Sequence, residues 1–311
     1  MFIRLKFESL RFLRKLILAS ISTLRAFENY FWTRERRLTF HSKLIQNRRV
    51  ITSTEYDMSS EPGEDYYARQ YLRAVDRLFL DVSAPLTIVD LGCGQGRLTV
   101  PIAKKFHNSE IFGVDLSEEA LQTAKTNSTK AGLKNVSFLH SNIGDFLDKL
   151  GDSSLNMALF TEVAFILPGW EEVVSKIFQK LSPGGVFIAS FRSTYYTLML
   201  QLRTKNFLSA IEILQSNEGR VTPHDDLIFT WIDSSDLERF CIQKGMDVVE
   251  VFGIGTSSGI PGDLLEIFAQ PGILREDQLS ILEVIEEKYA HILPDLGRYI
   301  AIVVKKPQIL E

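Results

Sequence analysis

The chain has 311 residues, of which 45% are hydrophobic and 24% are charged, and its net charge at pH 7 is −4. This length allows one large core with a cap or a small second unit. The balance of residue types excludes a disordered or fibrous protein. The two cysteines lack C-x-x-C spacing and the five histidines are scattered. We therefore predict that the protein has neither a disulfide framework nor a metal site. We also predict that it is cytoplasmic.

The first 50 residues differ in charge from the rest of the chain. They contain 12 Lys/Arg and 3 Asp/Glu, a net charge of +9, whereas the remaining residues carry −13. Apolar residues recur three or four positions apart, which predicts one helical face. They are Leu10, Leu13, Ile17, Ile21, Leu24, Phe27 and Phe31. We predict a basic amphipathic helical extension over residues 1–50.

Two roles for this extension stay open. It packs on the rest of the protein or on a second subunit, or it makes peripheral contact with an anionic membrane at the inner face. Its apolar runs are too short for a spanning helix, and no clear cleavage site marks a signal peptide. Nucleic-acid contact is less favoured, because the basic face has no evident stacking aromatics.

Residues 51–63 are polar, end in Pro-Gly, and are predicted as a linker. A helical pattern runs from Asp65 to about Leu80, and short apolar runs then alternate with helical segments. The runs predict buried strands at 86–91, 110–114, 135–140, 155–160, 184–191, 246–252 and 298–305. Helices are predicted at about 96–106, 117–131, 143–150, 170–181, 234–244 and 276–291. This alternation predicts an α/β fold with a doubly wound, mostly parallel seven-stranded sheet over residues 64–306.

The strongest motif is Asp90-Leu91-Gly92-Cys93-Gly94-Gln95-Gly96-Arg97, between a predicted strand and a predicted helix. Its three glycines permit a tight turn and a close approach of a ligand to the backbone. A dinucleotide-binding loop requires a sixth-position glycine, and Arg97 stands there, so a nicotinamide dehydrogenase ranks last. Asp90 repels a diphosphate and suits a cationic or zwitterionic ligand.

A second acid, Asp115, ends the next predicted strand. At this position a carboxylate accepts hydrogen bonds from both hydroxyls of a ribose. The alternative is that Asp115 stabilises the start of the following helix.

Asp90 to Gly96, Asp115 and the turn Leu181-Ser182-Pro183-Gly184-Gly185-Val186-Phe187 resemble the class I S-adenosylmethionine-dependent methyltransferases. The resemblance covers residues 64–192 and 229–252, and it implies the Rossmann-like methyltransferase fold with S-adenosyl-L-methionine as cofactor. By position it implies a cofactor site in which the glycine loop holds the methionine and ribose part. The residues implied are Asp90, Gly92, Gly94, Gly96, Asp115, Leu116, Asn142, Ile143 and Thr161. Asn142, beside the adenine, and Asn156, at the start of strand four, stand where the family more often has Asp.

Catalytic residues are not assigned by the sequence. Methyl transfer requires a general base only if the acceptor loses a proton. Glu162 and His224 are weak candidates, and for each the alternative is a surface or capping role.

Two insertions are predicted to cap the site, at about 192–232 and 253–296, after strands five and six. They carry three basic and four acidic residues between 193 and 232, and two basic and eight acidic between 253 and 296. This charge disfavours nucleic acid, and the apolar residues of the caps favour a small-molecule acceptor that is apolar or amphipathic. The alternatives are a macromolecule-modifying methyltransferase with residues 1–50 as a docking arm, and a non-catalytic cofactor-binding scaffold. The methylated atom and the oligomeric state stay open.

Overall fold

A computed structural model of the protein describes residues 63–221 and 227–308. The predictions for the extension at 1–50, for most of the linker and for His224 lie outside these residues. The predictions that residues 64–306 form one domain and that the two insertions act as caps stay predictions.

The described residues alternate between strands and helices from the first helix to the last strand. The helices are α1 Glu64–Leu78, α2 Thr99–Lys105, α3 Glu118–Lys130, α4 Ile143–Lys149, α5 Trp170–Lys180, α6 Thr194–Arg203, α7 Phe207–Gln215, α8 Ser234–Gln243 and α9 Glu276–Ile292. The strands are β1 Thr87–Leu91, β2 Glu110–Asp115, β3 Val136–His140, β4 Leu155–Phe160, β5 Leu181–Arg192, β6 Glu218–Gly219, β7 Phe229–Thr230, β8 Asp247–Ile254 and β9 Tyr299–Lys305.

The main sheet has seven strands in the order β3-β2-β1-β4-β5-β9-β8. Strands β1 to β5 are parallel to one another, and β9 runs antiparallel to both β5 and β8. The chain order reverses at β1, so the carboxyl ends of β1 and β4 meet at a topological switch point, where open α/β sheets bind ligands. The predicted doubly wound, mostly parallel seven-stranded sheet is confirmed.

The prediction that Ser182–Gly185 form a turn before the fifth strand is wrong. These residues lie within β5, where Leu155 pairs with Leu181 but Met157 pairs with Val186. The extra residues on β5 form an irregularity in the ladder, and Gly184 has a positive φ of 76° there. The Pro-Gly pair therefore bends a strand instead of separating two elements.

Two layers of apolar side chains cover the two faces of the sheet. Ile88 packs with Tyr71 and Ile102 in one core cluster, whereas its neighbour Val89 packs with Trp170 in the other. Successive strand residues point to opposite faces, and both faces are covered, so the strand sequences are almost continuously apolar.

The two insertions leave the carboxyl ends of β5 and β8. The first contains α6, α7 and the β6–β7 pair, and the second contains short 3₁₀ turns and α9. They contact each other, because Arg203 Nη1 of α6 donates to the Asp263 carbonyl at 2.6 Å. Within residues 63–221 and 227–308, every helix is too short or too polar to cross a membrane.

Candidate active site

The loop after β1 is tied to β2 by its backbone. The Gly92 and Cys93 amides donate to the Val114 carbonyl at 2.8 and 3.0 Å. Gly92, Gly94 and Gly96 have φ values of 78°, 50° and 82°, which only glycine adopts at low cost. The chain can therefore turn sharply at the carboxyl end of β1.

The three glycines differ in what surrounds them. A Cβ on Gly92 would lie 2.2 Å from Val163 Cγ2, and a Cβ on Gly96 would lie 3.3 Å from the Ala124 Cβ. A Cβ on Gly94 would meet no atom of residues 63–221 or 227–308 within 4 Å. Packing thus requires glycine at position 92 and leaves little room for a side chain at position 96. Only Gly94 faces open space, a distinction that the motif alone does not make.

The Asp115 carboxylate joins the glycine loop to the start of α3. One oxygen accepts from the Gly94 amide and the other from the Ser117 amide, both at 2.8 Å. Each carboxylate oxygen can accept a second hydrogen bond. Asp115 therefore organises the loop and still has capacity to accept two hydroxyl groups. Leu116 follows it, and its carbonyl accepts from His140 Nε2 at 3.0 Å.

Asp90 lies under the loop and is buried. Its Oδ2 accepts from Thr99 Oγ1 at 2.6 Å, which connects the end of β1 to the first turn of α2. Burial, with a smaller contribution from the nearby Asp115 carboxylate, raises the pKa of Asp90 to about 6 against the opposing effect of the Thr99 hydrogen bond. Asp90 thus holds a negative charge there with difficulty, and a cation nearby would favour its ionised form.

Asn142 and Ile143 lie at the end of β3, next to β2. Asn142 is the N-cap of α4, and its Oδ1 accepts from the Gly144 amide at 2.8 Å. The amide oxygen can accept a second bond. Asn156 lies near the amino ends of β1 and β4, opposite the carboxyl ends where the site is, and its Oδ1 accepts from the Thr87 amide at 2.8 Å. It therefore connects strands and does not belong to the site.

Glu162 follows β4 and Thr161, in a left-handed backbone conformation with φ 58°. Its amide donates to Ser190 Oγ at 2.8 Å, and its Oε1 accepts from Arg97 Nη2 at 2.7 Å. Its side chain is only 9% exposed. The alternative of a surface carboxylate is therefore wrong: Glu162 is half of a buried ion pair.

Arg97 is the centre of a larger ionic network that the sequence did not reveal. Its other terminal nitrogen contacts Glu64 of α1, which is buried. Burial raises the pKa of Glu64, as does the nearby Glu162 carboxylate, while Arg97 and Arg298 lower it. Arg298 lies 3.5 Å from Glu64 and 3.7 Å from Asp263. The network therefore joins α1, the glycine loop, the end of β4 and the second insertion.

Aromatic side chains gather beyond the ends of β4 and β5. The rings of Phe165 and Phe229 are stacked with centroids 5.9 Å apart, and Phe165 lies 5.3 Å from the ring of Tyr299. Thr230 Oγ1 donates to the Ala164 carbonyl at 3.0 Å, which connects β7 of the first insertion to the turn after β4. An apolar surface therefore adjoins the ionic network.

The predicted site residues are brought together at one edge of the sheet. Asp90 and the three glycines follow β1, Asp115 and Leu116 end β2, Asn142 and Ile143 follow β3, and Thr161 follows β4. Because the strand order is β3-β2-β1-β4, these groups form a continuous row. His224 is not among the described residues, so nothing is added to its prediction.

This fold, with an antiparallel seventh strand and a glycine loop next to a carboxylate on β2, is that of the class I methyltransferases. Residues 83–237 match the model of a family described as "Methyltransferase domain". The chain belongs to the class I S-adenosylmethionine-dependent methyltransferases, and S-adenosylmethionine is its cofactor.

Two curated relatives have different acceptors in their names. The chain is 24% identical over 206 residues to a tRNA N(3)-methylcytidine methyltransferase of Schizosaccharomyces pombe, covering 58% of this chain and 65% of the relative. It is 25% identical over 168 residues to a ubiquinone biosynthesis O-methyltransferase of Aromatoleum aromaticum, covering 54% and 66%. The chain thus spans less than two thirds of either relative's length.

A solved structure supports the fold. The S-adenosylmethionine-dependent methyltransferase of Mesorhizobium loti superposes with a TM-score of 0.50 at 18% identity, covering 77% of this chain and 97% of that one. At this identity the comparison establishes the fold alone.

Proposed function

We propose that the protein transfers the methyl group of S-adenosylmethionine to a small, apolar or amphipathic acceptor bound between the sheet edge and the two insertions. The observation that carries the proposal is the open space at Gly94, where an added Cβ would meet none of the described residues within 4 Å, beside the Asp115 carboxylate.

The residues at this edge fit the proposed cofactor. The free acceptor capacity of Asp115 suits the ribose hydroxyls, and that of Asn142 suits the adenine amine. The open space at Gly94 accommodates a group held against the backbone. When bound, the cofactor supplies a methyl group on a positively charged sulfur. The buried Asp90 and the half-buried Asp115 favour such a cation and disfavour a diphosphate.

In this proposal the main contribution of the protein to catalysis is to position the acceptor and the cofactor relative to each other. The rate of a displacement depends on aligning the nucleophile with the methyl carbon and sulfur, which contributes roughly 7–11 kcal/mol in well-oriented intramolecular reactions. We assign the ion pair of Glu162 with Arg97 to holding the end of β4 in place. Since its carboxylate is already paired, Glu162 is not proposed as a general base.

A small acceptor is supported by the surroundings of the site. The aromatic rings of Phe165, Phe229 and Tyr299 adjoin the end of β4, and aromatic surfaces with a few polar groups are typical of small-molecule sites. The excess of acid in the two insertions opposes a polyanionic acceptor. We keep a cytoplasmic location and peripheral membrane contact through residues 1–50 as parts of this proposal.

A macromolecular acceptor is the second candidate. It is favoured by the tRNA-modifying relative and by the net charge of +9 on residues 1–50. Incubation of the full-length protein with labelled cofactor and either total tRNA or an extract of small metabolites separates the two. Label in tRNA alone would replace the first candidate by the second.

Calorimetry tests cofactor binding. The wild-type protein should bind S-adenosylmethionine and S-adenosylhomocysteine, and Asp115→Ala should weaken both by about tenfold or more, because hydrogen bonds to a charged group are lost. Asp247→Ala is the matched control, because Asp247 is exposed on β8. An absence of binding heat from the wild type, or an unchanged affinity in Asp115→Ala, would contradict the proposal.

A further inference from the structure

Arg192 occupies the acceptor side of the proposed site. It is the last residue of β5 and pairs with Tyr299 at the start of β9. β5 is parallel to β4, so Arg192 lies at the sheet edge beyond which Glu162 and Phe165 follow β4. The first insertion begins directly after it.

The guanidinium of Arg192 has five N–H donors, and one hydrogen bond from it is found within the described residues. Its Nε donates to Thr197 Oγ1 at 3.2 Å, and this is its only hydrogen bond to residues 63–221 or 227–308. Among the same residues no carboxylate lies within ion-pair distance of it, and Asp263 acts on it only from farther away, whereas Arg97 and Arg298 each pair with two carboxylates. Burial lowers the pKa of Arg192. With respect to residues 63–221 and 227–308, both terminal nitrogens therefore keep their donor capacity, in a poorly solvated place.

Aromatic rings flank this guanidinium. Its central carbon lies 5.5 Å from the Tyr196 ring centroid and 5.6 Å from that of Phe229. Tyr196 is buried, and Phe229 stacks on Phe165. Ring faces attract a cation, but they satisfy none of its N–H groups. A planar fork of N–H donors between apolar walls matches an oxyanion attached to an apolar or aromatic body.

We propose that Arg192 binds a carboxylate or phosphate group of the methyl acceptor, whose apolar part lies against Tyr196, Phe229 and Phe165. This inference rests on the proposed function and narrows its acceptor to a small organic anion. The anion is the group by which the acceptor is held, and the methylated atom lies elsewhere on the molecule.

The surrounding charges limit the size of the anion. Arg298 is already paired with Glu64 and Asp263, and Glu162 with Arg97. Arg192 differs from Arg97 and Arg298 in having no ion pair with a carboxylate of residues 63–221 or 227–308. One guanidinium among several carboxylates accepts a single oxyanion but repels a polyanion such as RNA.

The test compares matched anionic and neutral probes in the presence of saturating S-adenosylhomocysteine. Benzoate against benzamide, and phenyl phosphate against phenol, are titrated by ligand-observed NMR. The wild type should bind the preferred anion at least about tenfold more tightly than its neutral counterpart, and the pair with the larger ratio identifies the oxyanion. Arg192→Gln should remove this preference and leave the affinity for S-adenosylhomocysteine unchanged. Arg239→Gln, an exposed arginine on α8, should behave as wild type.

Two results would overturn the inference: equal binding of both anions and their neutral partners by the wild type, or a preference that persists in Arg192→Gln. If Arg192→Gln does not fold, the same titrations are made with Arg192→Lys, because lysine keeps the positive charge but lacks the planar pair of N–H donors that holds an oxyanion. Benzoate and phenyl phosphate binding unchanged in that variant would contradict the assignment. Failure to bind S-adenosylhomocysteine would instead contradict the proposed function.

Discussion

Arg97 and Glu162 form an ion pair of 2.7 Å between the glycine loop and the end of β4. Both side chains are largely buried, with 14% and 9% of their surfaces exposed. Glu162 also has the left-handed backbone conformation that residues other than glycine rarely adopt. Strained residues of this kind persist where their surroundings hold them, often at functional sites.

Arg97→Met should destabilise the protein by about 3–5 kcal/mol at pH 7, because Glu64 and Glu162 would lose their shared counterion in a buried place. Glu162→Gln should cost less, since an amide oxygen still accepts from Arg97 and Glu64 still neutralises it. Chemical denaturation gives the free energies of unfolding, with the exposed Arg239→Met as control. An Arg97→Met variant as stable as the control would show that the network adds nothing to stability.

Two alanine substitutions in the glycine loop should have different consequences. Gly92→Ala places a Cβ 2.2 Å from Val163 Cγ2, which costs about 1–3 kcal/mol of overpacking beyond about 1–2 kcal/mol for a positive φ. Gly94→Ala carries only the second cost, because its Cβ meets no atom of the described part of the chain within 4 Å. Thermal unfolding should therefore rank Gly92→Ala as the less stable variant.

The affinities for S-adenosylmethionine complete this comparison. Gly94→Ala should weaken cofactor binding by about tenfold or more, because the new methyl group would occupy space in the proposed cofactor-binding site. Calorimetry on the folded variant measures this. Cofactor affinity equal to wild type in Gly94→Ala would mean that the ligand lies elsewhere.

The sheet was predictable because its strands are buried on both faces. Continuous apolar runs place β4 at 155–160, as predicted, and β3 within one residue of its predicted start. The start of β5 was not predictable, because Pro183 and Gly184 are typical of a turn. Leu181 nevertheless pairs with Leu155 of β4, so the strand begins before Pro183 and Gly184, which lie in the irregular part of the ladder between the pairs of Leu181 and Val186.

The site was predictable where its residues follow the carboxyl ends of predicted strands. The glycine motif and the acid on β2 stand at the ends of consecutive strands, so their meeting follows from the fold. Glu64 and Arg298 contact each other across 234 positions, and no local pattern indicates that pair. That Arg192 forms no ion pair with the described residues is likewise a property of its surroundings, which no local sequence pattern indicates.

Asp90 should make the protein less stable as the pH rises. Its folded pKa of about 6 lies above the ordinary value of 3.8, so its favourable contribution is complete below pH 3.8 and is lost as the pH passes 6. The full effect is about 3 kcal/mol, at about 1.4 kcal/mol for each tenfold change in the protonation equilibrium. Asp90→Asn removes this titration while keeping an acceptor for Thr99.

Urea denaturation at pH 4 and pH 7 measures the effect of this substitution. Between these pH values the stability of Asp90→Asn relative to wild type should rise by about 2 kcal/mol. The exposed Asp247→Asn corrects for general acid effects. A constant difference between Asp90→Asn and wild type would show that Asp90 titrates alike in the folded and unfolded states.

Two buried threonines should respond to valine in opposite directions. Thr256 Oγ1 is buried without a hydrogen-bond partner in the described part of the chain, so Thr256→Val should raise the free energy of unfolding by about 1 kcal/mol. Thr230 Oγ1 donates to the Ala164 carbonyl at 3.0 Å. Thr230→Val should lower it by about 1–3 kcal/mol, because it leaves that carbonyl unpaired. Denaturation of both variants under one condition gives the comparison, and a destabilised Thr256→Val would reveal that its hydroxyl has a partner.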